Sequence, residues 1–379
     1  MLKKIRFENF KSFTHETIID LMPTKSEILA TSNIYNDILK GCCFYGSNAS
    51  GKTTALLSIP FLLEMLFHKI GDFSALVTWF NKEPTMYFEY TFLIDNKEII
   101  YYFEIDRNGI INKETLTIDN EIKLYRLISS CESKITEKKN YDRNDINKNI
   151  LFLRSLYFNT GFSGHDELLH LFEFLKNSIY VNPSQDFTKV FVFSNESLKE
   201  ISLQNYLDKY GVNDINSFFK EFNIPFQIKY EKLPNAIIPF SSRLKFKRDN
   251  LCDIPFSMES YGNRILLMIL PTILTIVKTG GMLVIDEFSS GLHNKLEELL
   301  IKYIFAHSTN CQLFFVSHST NLLKTSLLRP DQVYSTDFDI QGSFIKKFSD
   351  EKPRESQNLE KMYLSGVFGG IPLYEKNQN

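Results

Sequence analysis

The stretch Gly46-Ser47-Asn48-Ala49-Ser50-Gly51-Lys52-Thr53 decides the reading of this chain. It is a complete G-x-x-x-x-G-K-T, it follows the short apolar run 42 to 45, and it opens a helical pattern near Lys52. Strand, glycine turn and helix, in that order, are the setting in which this spacing holds phosphate. The glycines let the backbone close around phosphate oxygens, while successive N–H groups and a helix N-terminus supply positive potential. Lys52 is placed to reach the β- and γ-phosphates and the Thr53 hydroxyl to ligate Mg²⁺, with Thr54 counted among the nucleotide-binding positions. A glycine turn arising by chance is the competing reading.

Three further elements lie downstream. Met282-Leu283-Val284-Ile285-Asp286-Glu287 is an apolar strand ending in two acids. A short strand buried on both faces explains the apolar run but not the adjacent carboxylates. Asp286 is expected to hold Mg²⁺, from just outside its ligands or through water, and Glu287 to polarise the attacking water. Val316-Ser317-His318 follows the next strand at the interval that sets His318 beside the γ-phosphate. Met258-Glu259-Ser260-Tyr261-Gly262-Asn263-Arg264 precedes a helical run, and a Ser and a Gly at a helix start, Ser260 and Gly262, make an anion site. Alone, each has a plainer reading as a strand end, a structural histidine or a common helix start. Their order along one chain gives them weight.

The rest of the chain arranges itself around these motifs. The opening segment alternates, with Ile5, Phe7 and Asn9 on one side and Arg6, Glu8 and Phe10 on the other, which predicts a strand. Residues 86 to 118 alternate aromatic and β-branched side chains around the turn Asn108-Gly109, which predicts an antiparallel meander. Residues 130 to 148 are polar, and helical periodicity returns at 168 to 175 and 198 to 222. After Pro255 the pattern runs helix (264 to 277), strand (282 to 285), helix (294 to 306), strand (312 to 316), as in a parallel α/β sheet. The two ends are therefore expected to be halves of one split α/β domain, 1–75 and 255–379, around a β-rich then helical insertion at 76–254. There is no repeat, and no heptad run long enough for a coiled-coil arm. The apolar runs 55 to 70 and 265 to 277 fall short of the roughly 20 residues of a spanning helix, so they read as buried helices and no membrane partner is expected.

The 379 residues carry 43 Lys+Arg against 45 Asp+Glu, a net charge of −2 that excludes a generally basic nucleic-acid binder. At 43% hydrophobic, with 34 Phe and 18 Tyr, the chain can bury a large core. Five cysteines without C-x-x-C spacing support neither a disulfide framework nor a zinc site, and the opening MLKKIRFENFKSF lacks the apolar core of a signal peptide, so a reducing cytoplasm is expected.

With the four elements in this order, the sequence resembles the ATP-binding-cassette superfamily, in the branch of structural-maintenance-of-chromosomes heads and DNA-break-repair ATPases. KKIRFENFKSF looks like that branch's first strand and GSNASGKT like its G-x-N-x-x-G-K-[ST] loop. SYGNR stands where the family has L-S-G-G-Q, so Ser260 and Gly262 are carried over but the leucine and second glycine are not. Asp286 and Glu287 match the Walker B pair, residues 289 to 293 the D-loop and His318 the switch histidine, while the Q-loop glutamine has no counterpart after the first helix. The motif E-S-x-G, the Leu292-His293 pair after the acids, and a tail reading LEKMYLSGVFGGIP from Leu359 are also similar to small ATPases of prokaryotic phage-defence loci such as Septu, PARIS and retron-associated systems.

The resemblance implies a split ABC-type head, a P-loop NTPase with a parallel sheet plus an antiparallel β lobe. Its cofactors would be ATP and Mg²⁺, with Lys52, Glu287 and His318 serving hydrolysis at a slow rate. Two copies, or a higher homo-oligomer, would sandwich the nucleotides, Ser260 and Gly262 acting in trans. The implied function is a sensor ATPase of an abortive-infection system that controls a separate effector such as a nuclease. The alternative is a repair-type ATPase clamping DNA, for which Arg243, Lys245, Lys247 and Arg248, and Lys134, Lys138, Lys139 and Arg143, are candidate contacts beside their plainer reading as solvated faces. A transporter subunit fits poorly with the degenerate signature and the β-rich insertion. Asp337 and Asp339, the one D-x-D that could suggest a nuclease, read as a turn.

Overall fold

The computed structural model describes residues 1–371 apart from 69, 71, 79, 81–84, 163, 183–189, 193–201, 233–238 and 249–251, and at 190–192 the backbone alone. The aromatic alternation after residue 85 forms long antiparallel strands, Thr85–Ile94, Lys97–Asp106, Ile111–Ile118 and Glu121–Leu127. Two of the connections are two-residue turns, Asp95-Asn96 and Asp119-Asn120, whose residues all have φ between 47° and 65°. Asp and Asn tolerate that left-handed backbone, which matches the twist of the paired strands. The first strand, Leu2–Glu8, joins the same eight-stranded sheet between Thr17–Asp20 and Thr85–Ile94, with Ile5 opposite Tyr90 and Phe7 opposite Phe88.

Phe10 does not take the polar side of the first strand. The chain turns at Asn9 and Lys11, with φ of 57° and 52°, and Phe10 swings into the core against Phe61 and Phe88 at centroid distances of 5.3 and 5.2 Å. Phe61, Phe88 and Phe103 pack together, 4.6 Å between the first two rings and 5.5 Å between the last two. Much of the aromatic content of this region is thus sheet packing.

The second sheet is built on five parallel strands in the order Ile179–Val181, Gly281–Ile285, Cys311–Val316, Gly41–Gly46 and Val333–Asp339. Antiparallel neighbours, Val190–Val192 and Gly342–Lys347, close its two edges. Every residue of Gly281–Ile285 and Cys311–Val316 is buried, which is why those segments are apolar apart from Gln312, whose amide bonds to the backbone of Leu2 and Leu39. The segment 76–254 contributes strands to both large sheets, Thr85–Ile94 beside the first strand and Ile179–Val181 beside Gly281–Ile285. The periodic segment 198 to 222 is two helices, Leu203–Tyr210 and Asn213–Glu221, parted at Gly211 with φ 71°; residues 198–201 lie outside the described residues. The helix Tyr261–Thr279 is long and apolar enough to cross a membrane by length and composition. Ten of its residues, including Ile265, Leu270 and Ile276, are instead buried in the fold.

A buried carboxylate ties the β-rich part to the first helix after it. Glu114 accepts hydrogen bonds from the free N–H groups of Phe152 and Leu153, at 2.7 and 2.8 Å, at the start of the helix Phe152–Asn159. It also accepts from the Tyr101 hydroxyl at 2.8 Å and from Arg126 at 3.2 Å, and both members of this ion pair are fully buried. The architecture is a mixed α/β fold with a parallel sheet and an antiparallel lobe, and among the described residues it contains no long coiled coil.

Candidate nucleotide site

Because the five strands run parallel, the segments that follow them collect at one edge of the sheet, where open α/β folds bind their ligands. The loop after Gly41–Gly46, the acids after Gly281–Ile285 and the histidine after Cys311–Val316 are therefore brought together by topology.

The loop itself needs its glycines. A Cβ on Gly46 would stand 2.5 Å from the Thr336 carbonyl oxygen, and one on Gly51, with φ 106°, 2.5 Å from Ser343 Oγ. Ala49 also takes a left-handed φ of 63°. The Ser50 hydroxyl shares a 2.5 Å hydrogen bond with Thr336, which anchors the loop to the neighbouring strand. Gly51 leads into the helix Lys52–Phe67, so the free N–H groups of that helix face the loop. Lys52 is buried and its Nζ donates to the carbonyls of Gly46 and Ser47 at 3.0 and 2.6 Å. Burial lowers its pKa, against the pull of Asp286 and Glu287.

The Thr53 hydroxyl donates to Asp286 Oδ1 at 3.1 Å, so the two expected metal-site residues meet directly. Asp286 is buried, and burial pushes its carboxyl above the usual range, with Glu287 adding repulsion and Thr53 and Lys52 opposing both. A buried carboxylate beside a hydroxyl is an oxygen donor pair that suits Mg²⁺. Together with the glycine cradle, these residues fit a magnesium-bound nucleoside triphosphate. Glu287, one residue past the strand, takes a left-handed φ of 51°, which turns the chain out of the sheet edge. His318 is exposed, yet lost hydration around its ring and the nearby Lys52 lower its pKa, while Glu287 raises it. Lys52 and Glu287 both act on the charge of His318, in opposite directions.

Ser260 caps the helix Tyr261–Thr279, accepting from Asn263 N at 3.4 Å, and a Cβ on Gly262 would lie 3.4 Å from the Gly291 carbonyl in the turn after the acids. Among the described residues, neither hydrogen bonds to the phosphate loop, to the acids or to His318 of its own chain. Glu259 beside them is buried; its oxygens accept from Ser260 N, Asn263 and Arg248, at 2.8, 3.1 and 2.8 Å, and these bonds outweigh burial to hold its pKa low.

Two contributors escaped the sequence reading. Asn182, directly after Ile179–Val181, donates to Asp286 Oδ2 at 3.4 Å. The apolar triplet ending in Asn182-Pro183 was its only signal. The tail packs beside the loop: Tyr363 stacks edge-on with Tyr45 at 5.8 Å, Glu360 accepts from Thr320 at 2.7 Å, and a Cβ on Gly370 would lie 3.4 Å from Gly46 Cα. The tail's closing Pro372 is outside the described residues.

Of the candidate nucleic-acid contacts, Arg243 is buried against Tyr230 and Glu231, Arg248 pairs with Glu259, Lys134 with Glu121 at 3.0 Å and Lys138 with Asp145 at 2.8 Å. Asp337 accepts from Gly370 N at 3.2 Å, so it holds the tail.

No curated protein matches the chain. Among solved structures, an Smc head bound to the C-terminal winged-helix domain of ScpA is 16% identical with a TM-score of 0.53, covering 93% of this chain and 99% of that one. The SMC head domain from Thermotoga maritima is 15% identical with a TM-score of 0.48, covering 91% and 98%. The first of these shows that the fold is that of an SMC-type ATPase head. Residues 42–324 match a family profile, so the chain belongs to the family described as "AAA domain, putative AbiEii toxin, Type IV TA system".

Proposed function

We propose that the protein is an ATP-binding and slowly ATP-hydrolysing switch of a cytoplasmic abortive-infection system, two copies of which close around two ATP molecules and control a separate effector such as a nuclease. One observation carries the ATPase part: the Thr53 hydroxyl lies 3.1 Å from Asp286, next along the helix from the buried Lys52 whose ammonium rests on the carbonyls of Gly46 and Ser47. Bound Mg²⁺ would neutralise charge on the transferring phosphate. The backbone of residues 46–51 and Lys52 would hold the phosphates, Thr53 and Asp286 the metal, Glu287 the attacking water, and His318 the γ-phosphate edge. Ser260 and Gly262 would complete the partner copy's site.

The family to which the chain belongs supports the defence role. The matched Smc head is bound to a winged-helix domain of ScpA, and a protein docking on the segment 76–254 is the corresponding proposal here. The ion pairing of Arg248, Lys134 and Lys138 and the burial of Arg243 favour this over a DNA clamp.

The test is phosphate release by the purified chain, alone and with Lys52→Ala and Glu287→Gln, followed by co-expression with the neighbouring gene product. ATP hydrolysis lost in both variants, and an effector that co-purifies, are the expected results. A wild type that binds no ATP, or a Lys52→Ala variant that binds it as well as wild type, would overturn the ATPase reading.

A further inference from the structure

The helix Asn294–His307 carries Glu297 in its first turn, with a relative exposure of 0% and with neither carboxyl oxygen in a hydrogen bond of good geometry. Buried polar atoms without partners are rare, and an ionised carboxylate in such a place is costly. The position is also specific. Ser289, from the turn after the two acids, shares a 2.6 Å hydroxyl contact with Ser317 and accepts from His318 N at 3.3 Å. Ser319, from the far side of the His318 loop, donates to Asn294 at 3.3 Å, and its carbonyl accepts from Tyr45 at 3.1 Å. The Ser289 and Ser319 hydroxyls are the groups near Glu297 that favour its charge, His293 adds weakly to them, and burial outweighs all three to raise its pKa.

We propose that Glu297 is a positioning residue for hydrolysis: buried in the first turn of the helix whose Asn294 accepts from Ser319, it seats the turn bearing Glu287 and the loop bearing His318 against one another. A neutral carboxyl can donate through its O–H and accept through its C=O, so it can engage a hydroxyl on each side, whereas a carboxylate only accepts. A glutamine offers the same pair of functions without a proton to lose. The inference rests on the ATPase reading and adds to it a residue outside the nucleotide cluster.

The titratable neighbours are His293 on the same helix, Tyr45 on the strand beneath, Tyr363 stacked on Tyr45, and Glu287 and His318 on the two loops. Glu297→Gln, which keeps the size of the side chain and both a donor and an acceptor, is expected to retain most of the wild-type kcat. Glu297→Ala is expected to bind ATP normally but to lose on the order of 10- to 100-fold in kcat through misplacement of the two loops. A Glu297→Ala variant with wild-type kcat, or a Glu297→Gln variant that loses as much kcat as Glu297→Ala, would overturn the inference while leaving the ATPase reading intact. Absence of hydrolysis in wild type would instead defeat the ATPase reading. A nucleotide-free melting series decides the buried-proton part separately. A carboxyl raised in the folded state gives stability that is present below the ordinary Glu value, about 4.3, and lost as pH rises through the raised value. Wild type should therefore lose melting temperature relative to Glu297→Gln as pH rises, and a constant difference would contradict a buried neutral carboxyl.

Discussion

Lys52 lies with its ammonium on the carbonyls of its own loop, at 2.6 and 3.0 Å, so it is held where a phosphate chain would pass. Lys52→Ala should abolish ATP binding in a fluorescent-nucleotide titration. Glu287→Gln should keep binding and lose about 100- to 10,000-fold in hydrolysis, the range for a positioned proton acceptor. The lowered pKa of His318 keeps its ring neutral to a more acidic pH than an ordinary histidine, so any activity loss on its protonation should fall below about pH 6.5. A rate profile with that limb at or above the ordinary value would contradict its placement beside Lys52. The loop, the acids and the histidine were legible because their chemistry needs fixed residue types at fixed spacing. Asn182 and Glu297 were not, because an amide and a carboxyl acquire their roles only from what folding sets beside them, Asp286 in one case and two serines in the other.

At the scale of elements, Glu114 stands in for a helix cap supplied from a distant strand. Removing it leaves the buried Arg126 with carbonyl partners but no counter-charge, and the N–H groups of Phe152 and Leu153 without their acceptor. Glu114→Ala should therefore cost about 3–5 kcal/mol in urea unfolding, the penalty for breaking a buried pair, whereas an exposed variant such as Glu132→Ala should lie within about 0.5 kcal/mol of wild type. Alternation along the chain revealed most of these strands, and the apolar and polar periods of 281–307 revealed the parallel half. Strand partnerships were not legible, since the pairing of Leu2–Glu8 with Thr85–Ile94 joins segments distant in sequence and no local pattern encodes it. Phe10 was misplaced for a related reason, since the left-handed residues on either side of it end the alternation.

For the whole molecule, the role proposed for Ser260 and Gly262 is the part of the account that asks for a second copy. Composite sites make a sharp demand on mixtures. In a Lys52→Ala chain the loop fails while Ser260 is intact, and in a Ser260→Arg chain the reverse holds. A mixed dimer then contains one site with both defects and one site with neither. The measurement is ATP hydrolysis by each variant alone and by their equal mixture, with both confirmed folded by circular dichroism. Two inactive proteins whose mixture recovers hydrolysis well above their sum is the expected result. A mixture as inactive as its parts, or a Ser260→Arg chain that hydrolyses ATP alone, would contradict an ATP site completed across two copies.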